Sequence, residues 1–552
     1  MACTKIFSGD LPEITNEIMR YFRDDFSTLY SCILVNRLWC RLAIPLLWED
    51  PFSLKNPKNY RYIEVYLYNL NDDDKIQLNG YGISNNLFLS NTLFNYSSFI
   101  QHLDTRKVSN SIEKWVSTIF INNTTQNLDF IKFIHKLLIK IFDENEATLH
   151  TLYVTYKGSY RDTIVSELVL RSSNFICNVR NLYLKINKCN ATDINPFLNF
   201  LSSNCNSISS LDFLFSRCYQ KFEKKLCNII DSQQNLKKIS LNFNSFPLYH
   251  SLLSSKNPNF TNTLRTIIFY HINFENIVVA NEIFKQLSVL ESIHILYCYS
   301  LDSFQQITNL TDPFKLKSLF MAESFTESLQ LLLQKSGDYL ENFGLELLRQ
   351  EQKILELIIK YYSKKIKFLN FCELEDQNIY KIFQLIEKVE LSLNYLTIDT
   401  NCNVNLGSIV LQHLGQILPS KLEYLNLILI IKPNDFKTFL KNLQNTFIKK
   451  LLINNIEKEE QEDILSYIKE YIMKKKRSEY LALLECFTVQ SYYTEVDLYS
   501  LKDEVKEFRL HNIIVQNYND LDIETHKFIH EIFTSNIQDE LNHTFSLEFN
   551  KI

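Results

Sequence analysis

The sequence predicts an α/β chain: a short all-helical segment at the amino-terminal end, then a long irregular solenoid of parallel strands and outer helices. Three observations carry this reading. A strand-like signature with apolar residues at its first, fourth and sixth positions recurs about every 27 residues from residue 149 onward. Amphipathic helical segments fill the intervals. Residues 10–50 carry instead a dense alternation of apolar and polar positions with helical spacing. The domain plan is thus a helical unit over 8–50, a bridge over 51–148 and a repeat ladder over 149–552.

Composition sets the outer bounds. A chain of 552 residues that is 46% hydrophobic, 13% aromatic and 22% charged buries a large core and is too apolar to be disordered. A formal net charge of -5 gives no global reason to bind nucleic acid or an anionic membrane. No stretch approaches ~18 uncharged apolar residues, and the opening MACTKIFSGDLPEI lacks an apolar leader core. A soluble, cytoplasmic chain is expected, with Lys474-Lys475-Lys476-Arg477 as a candidate nuclear signal. The 12 cysteines form no C-x-x-C pair, so reduced thiols are expected rather than zinc or redox chemistry.

In the helical segment, Ile14, Ile18, Met19 and Phe22 make a first apolar stripe, with Pro12 tolerated near the helix start. Asp24-Asp25 breaks the pattern. A second helix is predicted from about Ser27, carrying Leu29, Cys32, Ile33 and Asn36, and a third with Trp39, Leu42 and Ala43 that Pro45 should stop. Such a unit is too small to bury all its large side chains, so Leu11, Trp39, Leu47 and Trp48 are candidates for a partner surface.

The run Leu11-Pro12-Glu13-Ile14, Glu17-Ile18, Leu29, Cys32, Leu34-Val35-Asn36-Arg37, Trp39 and Leu46-Leu47-Trp48 resembles the F-box. That resemblance covers about forty residues. It implies docking on a Skp1-type adaptor, and through it on a cullin and its RING subunit. Carried over by position, it implies adaptor contacts or their supports at Leu11, Pro12, Ile14 and Ile18. Leu29, Cys32, Val35 and Trp39 would pack and present the second half, and Trp48 would close the motif.

The ladder reads LHTLYV (149), VRNLYL (179), ISSLDF (208), LKKISL (236), LRTIIF (264), LESIHI (290), LKSLFM (316), LENFGL (340), IKFLNF (366), LNYLTI (393), LEYLNL (422) and IKKLLI (448), then more weakly LALLEC (481) and VKEFRL (505). Segments 351–364 and 434–447 supply helices, with Ile354, Leu355, Ile358, Ile359 and Tyr362 on one face, and Phe436, Phe439, Leu440 and Leu443 on the other. Asn434 and Thr326 sit where helix N-caps belong. The ladder resembles a degenerate leucine-rich repeat, whose preferred Asn or Cys at the ninth position is found only at Asn187, Asn244, Cys298 and Asn401. In that resemblance the strands line a concave face. Position five would write it through Tyr153, Tyr183, Asp212, His294, Phe320, Asn370, Thr397 and Asn426, a row without Arg or Lys that suits a protein partner.

Residues 51–148 read as exposed turns at 71–74 and 79–82, helical or partly extended stretches at Ile112–Ile121 and Phe130–Phe142, and one or two irregular repeats. No catalytic, cofactor or metal site is expected. His526 and His530 are spaced for a metal but lack a third ligand, and a solvated helix face is expected there. Gly80-x-Gly82 lacks the rest of a phosphate loop. The combined resemblance implies the substrate-recognition subunit of an SCF-type ubiquitin ligase, without covalent chemistry of its own and with an unidentified protein substrate. The alternatives are a scaffold or sensor that binds the adaptor without acting in ubiquitylation, or a receptor needing a small-molecule co-ligand.

Overall fold

The computed structural model describes residues 12–23, 25–54, 57, 59–68, 70–83, 92–120, 124–170, 174–186, 191–215, 222–242, 262–274, 287–301, 315–321, 327–336, 339–346, 352–361, 365–374, 378–400, 403–457, 464–489 and 492–530. The chain divides into two compact units, Met1–Leu264 and Arg265–Ile552, and the division falls inside the ladder read from the sequence. Both are α/β, with mostly parallel strands and intervening helices.

The first unit begins with three helices, Pro12–Tyr21, Phe26–Ile33 and Arg37–Trp48. Asp25 caps the second by accepting from the Thr28 amide at 3.0 Å, and Asn36 caps the third by accepting from the Trp39 amide at 2.9 Å. Pro45 does not stop the third helix, which runs on to Trp48. Leu42, Leu46 and Leu47 pack on a buried cluster of Met19, Leu29, Cys32 and Ala43, and this burial offsets the ~3 kcal/mol that an interior proline costs.

The bridge is mostly helical. Asn71 caps a helix, Asp72–Gly80, where an exposed turn was expected, and buried Asp74 pairs with Lys140 at 2.6 Å. Helices Thr105–Ile119 and Thr124–Glu144 follow. Between them and the capped helix, β1 (His102–Asp104) pairs in parallel with β2 (Thr151–Tyr156), with Leu103 beside Leu152. The parallel order therefore begins inside the bridge, where irregular repeats were expected, one strand before residue 149. Then β3 (Asn181–Ile186), β4 (Ser210–Phe215) and β5 (Lys238–Asn242) add in parallel, in the frames read from the sequence.

Helix Thr124–Glu144 buries His135 completely, and neither ring nitrogen has a hydrogen-bond partner among the described residues. Burial, reinforced by Arg161, lowers its pKa to about 3; burial, then Arg23, lowers that of His102 to about 4. Below pH 6.5 the unfolded chain takes up these protons first. The stability from the two neutral rings is complete above 6.5 and is lost as pH falls toward 4 and 3. Asp50, raised to about 6 by burial, works oppositely: its contribution is present below 3.8 and is lost as pH rises through 6. Two rings outweigh one carboxyl, so the first unit is expected to weaken between pH 6.5 and 4, by at most roughly 3 kcal/mol per ring. His135→Leu should raise stability and flatten this acid limb in urea titrations at pH 7.5 and 5. An unchanged limb would contradict this assignment.

In the second unit β6 (Thr266–Tyr270), β7 (Ser292–Leu296), β8 (Leu316–Met321), β9 (Asn342–Glu346), β10 (Phe368–Cys372), β11 (Tyr395–Asp399), β12 (Lys421–Leu429), β13 (Phe447–Asn455) and β14 (Ser478–Val489) are parallel in chain order. β15 (Tyr492–Asp497) returns antiparallel to β14, and β16 (Ile514–Val515) pairs with β14 in parallel. Positions four and six, such as Leu369 and Phe371, are buried throughout. The pairing slips between Ile293 and His294, which sets His294 beside Ser318 instead of Phe320. The slip skips one residue of β8, Lys317; beyond it Ile295 lies beside Leu319, so the apolar residues still meet on one face.

Two weak frames need correction. Leu481 lies beside Leu451, so it stands at position four and its frame opens at Ser478. β14 buries Leu481, Ala482, Leu483 and Leu484 in succession, and a strand covered on both faces has no period to fix its frame. Val505–Leu510 lies in the helix Lys502–Leu510, since apolar residues at i and i+3 suit a helix as well as a strand. Helices Gln352–Tyr361 and Pro433–Asn442 bury the expected residues; Tyr362 lies outside the described residues. Asn434 is not the cap: Pro433 is the first helical residue and Lys432 precedes it, because proline's fixed φ suits that position. Thr326, Asn187, Asn244 and Asn401 lie outside the described residues. Cys298 is buried and donates to the Leu296 carbonyl at 3.5 Å. With few glycines in the chain, His271, Tyr297 and Glu373 take positive φ in the turns after β6, β7 and β10.

Candidate interaction surfaces

The first helix has two distinct faces. Thr15 and Met19 are buried, with Phe22 packed beside them. Ile14, Ile18 and Tyr21, at i, i+4 and i+7, share a neighbouring face. On that face Ile14 is 48% exposed and Tyr21 88%. Past the second helix Leu34 is 76% exposed and Val35 48%. Large apolar side chains left in water on so small a unit mark a surface that a partner would cover. Of the residues matched to the docking motif, Leu29 and Cys32 are interior, Trp39 is half-buried against them, and Ile14, Ile18 and Val35 reach the surface. Leu11 lies outside the described residues, as does the side chain of Pro12. Tyr21, Tyr30 and Leu34 were not read from the sequence as surface candidates, although each stands off the buried stripe.

Trp48 is half-buried. Its ring packs at 5.3 Å on Tyr66 and 4.4 Å on Tyr96 and so joins the third helix to the bridge. The next residue completes the junction. The Glu49 carbonyl accepts from the Gln101 and His102 amides at 3.0 and 3.1 Å, and its buried carboxylate pairs with Arg23.

The position-five row is placed on one face of the strands, as expected, but its exposure is not. In the first unit Tyr153 and Tyr183 stack at 3.9 Å and remain partly open to water, whereas Asp212 is buried and accepts from Asn242 at 2.8 Å. In the second unit His294, Phe320, Asn370 and Asn426 are buried and only Thr397 is partly exposed. The expectation of solvent-facing residues fails because the chain returns over them.

That return runs from Tyr518 to His530. Tyr518 and Leu521 pack on Tyr424, Leu452, Ala482 and Leu484. Asp522 accepts from the Tyr424 hydroxyl and from Asn426, both at 3.0 Å, and the Tyr518 hydroxyl donates to Asn426 at 2.8 Å. Burial holds the Tyr424 and Tyr518 phenols protonated well above their usual range. Thr525 lies 3.2 Å from the Tyr297 hydroxyl and 3.5 Å from Asn370. Beyond it His526 stacks on Tyr270 at 4.4 Å, Phe528 meets Tyr395 and Phe368 edge-on, and Ile529 is buried against Ile268, Leu296 and Phe320.

His526 and His530 therefore do not form a solvated helix face: the first is stacked and half-buried, and the second is buried. Of the candidate nuclear signal, Lys474, Lys475 and Lys476 are exposed, while Arg477 donates to the Leu443 carbonyl at 3.1 Å. Among the described residues no cluster of three His, Cys, Asp or Glu could hold a metal, and no helix is long and apolar enough to cross a membrane. No protein-family model and no curated protein matches the sequence.

Proposed function

We propose that this chain is the substrate-recognition subunit of an SCF-type ubiquitin ligase, in which the three amino-terminal helices act as an F-box and the strands and helices beyond form a leucine-rich-repeat solenoid that holds a protein target. The observation that carries the docking half is the exposed apolar set Ile14, Tyr21, Leu34 and Val35 on a unit with its own buried cluster. The parallel order of β1–β5 in the first unit and of β6–β14 in the second supports the solenoid half. The receptor makes and breaks no bonds itself; it raises the concentration of target lysines near the charged conjugating enzyme.

Ile14→Asp with Val35→Asp in the full chain is expected to lower capture of a Skp1-type adaptor by a hundredfold or more without changing the melting midpoint, since both residues stand in water. Undiminished capture would remove the docking role. A second reading, an adaptor-bound scaffold that joins no cullin, is favoured by the strand face of the second unit being already covered. Co-purification of a cullin with the chain and its adaptor separates the two.

A further inference from the structure

The two faces of the strands in the second unit differ in kind. Positions four and six present Ile267, Phe269, Ile293, Ile295, Leu369 and Phe371, an aliphatic and aromatic interior with no polar atom. The opposite face is mixed: tyrosine, asparagine, histidine, serine and threonine stand among apolar side chains, and many of the polar groups are joined to one another. Asn342 donates to Ser318 at 2.8 Å, Ser318 lies 2.8 Å from His294, Thr266 bonds Ser292 at 2.9 Å, and Asn370 donates to the Tyr297 hydroxyl at 3.3 Å. Its apolar side chains, Ile268, Leu296, Phe320, Leu452, Ala482 and Leu484, are the ones that Tyr518, Leu521 and Ile529 cover. Tyrosine and asparagine on a rigid sheet are also what recognition surfaces use.

The cover is equally unlike a core element. It is held by side chains spaced along its length: Tyr518 and Leu521 as apolar anchors, Asp522 in a fork of two donors, then Thr525 and Ile529. Between the anchors Glu524 and Lys527 remain exposed and pair with each other at 2.8 Å. Anchors alternating with solvated residues are the signature of a peptide lying in a groove.

We propose that this mixed face of β6–β14 is a peptide-binding site occupied in cis by Tyr518–His530. Its exchangeable ligand is a partner-protein segment of the same chemistry: an aromatic anchor, an aliphatic anchor three residues on, a carboxylate immediately after it, and then an apolar helical turn. The fork of Tyr424 and Asn426 selects the carboxylate, and the Leu452–Ala482–Leu484 floor selects the first two anchors. The occupant keeps the site closed until a competing segment displaces it. This deepens the receptor reading and rests on it for the origin of the ligand; the existence of the site does not.

The test uses the full chain and a fluorescein-labelled peptide of residues 517–530. Tyr518→Ala with Asp522→Arg should release the cis segment, and this variant is expected to bind the peptide at least tenfold more tightly than the unaltered chain. Adding Asn426→Asp, which sets a second carboxylate against that of the peptide, should reverse the gain. A released variant with a native near-ultraviolet circular dichroism spectrum that binds no better than the parent overturns the proposal. Hydrogen exchange on the unaltered chain covers the case of a variant that fails to fold. Amides of 518–530 exchanging together at least tenfold faster than those of β12 and β13 support a displaceable segment, and equal rates overturn it. Adaptor capture measured in parallel reports on the amino-terminal helices alone, so its loss counts against the receptor reading and leaves the peptide result standing.

Discussion

Gly344→Val is expected to destabilise the second unit by roughly 3 kcal/mol. Gly344 is the position-five residue of β9, and the absence of a side chain there lets the Phe320 ring of β8 reach across to Phe368 of β10, with centroids 5.5 Å apart. A Cβ at 344 would lie 2.4 Å from Phe320 Cδ1 and 2.8 Å from the Asn370 carbonyl oxygen. The ring could rotate away, but the carbonyl belongs to a paired strand and cannot. Ile529 packs on the same Phe320 and Phe368, so the cis segment should loosen as well. Urea unfolding and hydrogen exchange at residues 525–530 read both effects, and an unchanged midpoint would show that the ring is not confined as described. Glycine usually weakens a strand; here its missing side chain makes room for a neighbour's ring.

Leu29→Ala should cost about 3 kcal/mol, within the range for truncating a fully buried leucine. The loss would fall on a cluster of only a few side chains, Met19, Cys32 and Ala43 with half-buried neighbours. Local unfolding of residues 12–48 should therefore precede that of the strands, seen as proteolytic cleavage within those helices. Adaptor capture should fall with it although Leu29 touches no partner. Resistance of this region to proteolysis equal to that of the unaltered chain would overturn the assignment. The contrast with Ile14→Asp and Val35→Asp is the useful one: the interior substitution acts through stability and the exposed pair acts without it.

Most of the fold was legible because strands with apolar residues at positions four and six and mostly other chemistry between them keep a period of two inside a repeat near 27 residues. Twelve frames from 149 to 448 could be read from Leu, Ile, Val, Phe and Met at the first, fourth and sixth positions. Legibility failed where that contrast vanished. β14 is apolar on both faces because Tyr518 and Leu521 cover it, and β1 is too short to show more than half the signature. Pro45 looked like a stop because local propensity carries no knowledge of what Leu46 and Leu47 pack against. The proposed docking surface was half legible: the F-box resemblance picks out the residues, but only burial separates Leu29 and Cys32, which build the unit, from Ile14 and Val35, which face outward. The covered strand face was not legible at all, since Tyr518–His530 lies about a hundred residues along the chain from Tyr424 and further from Tyr270, with no local period linking them.

The junction at Glu49 has a mechanical meaning. With its carbonyl bound to two amides at β1 and its carboxylate paired with Arg23, the third helix is welded to the edge of the first unit's sheet, with no tether between them. A flexible tether would let a docked ligase search many orientations at low local concentration. A weld fixes the lever arm between the helices and β1–β5, so in a receptor the lysine that is modified would be chosen by reach and angle as much as by affinity. Lengthening that arm by residues inserted after Asp50 would then redirect the position of modification on a target while leaving its capture intact.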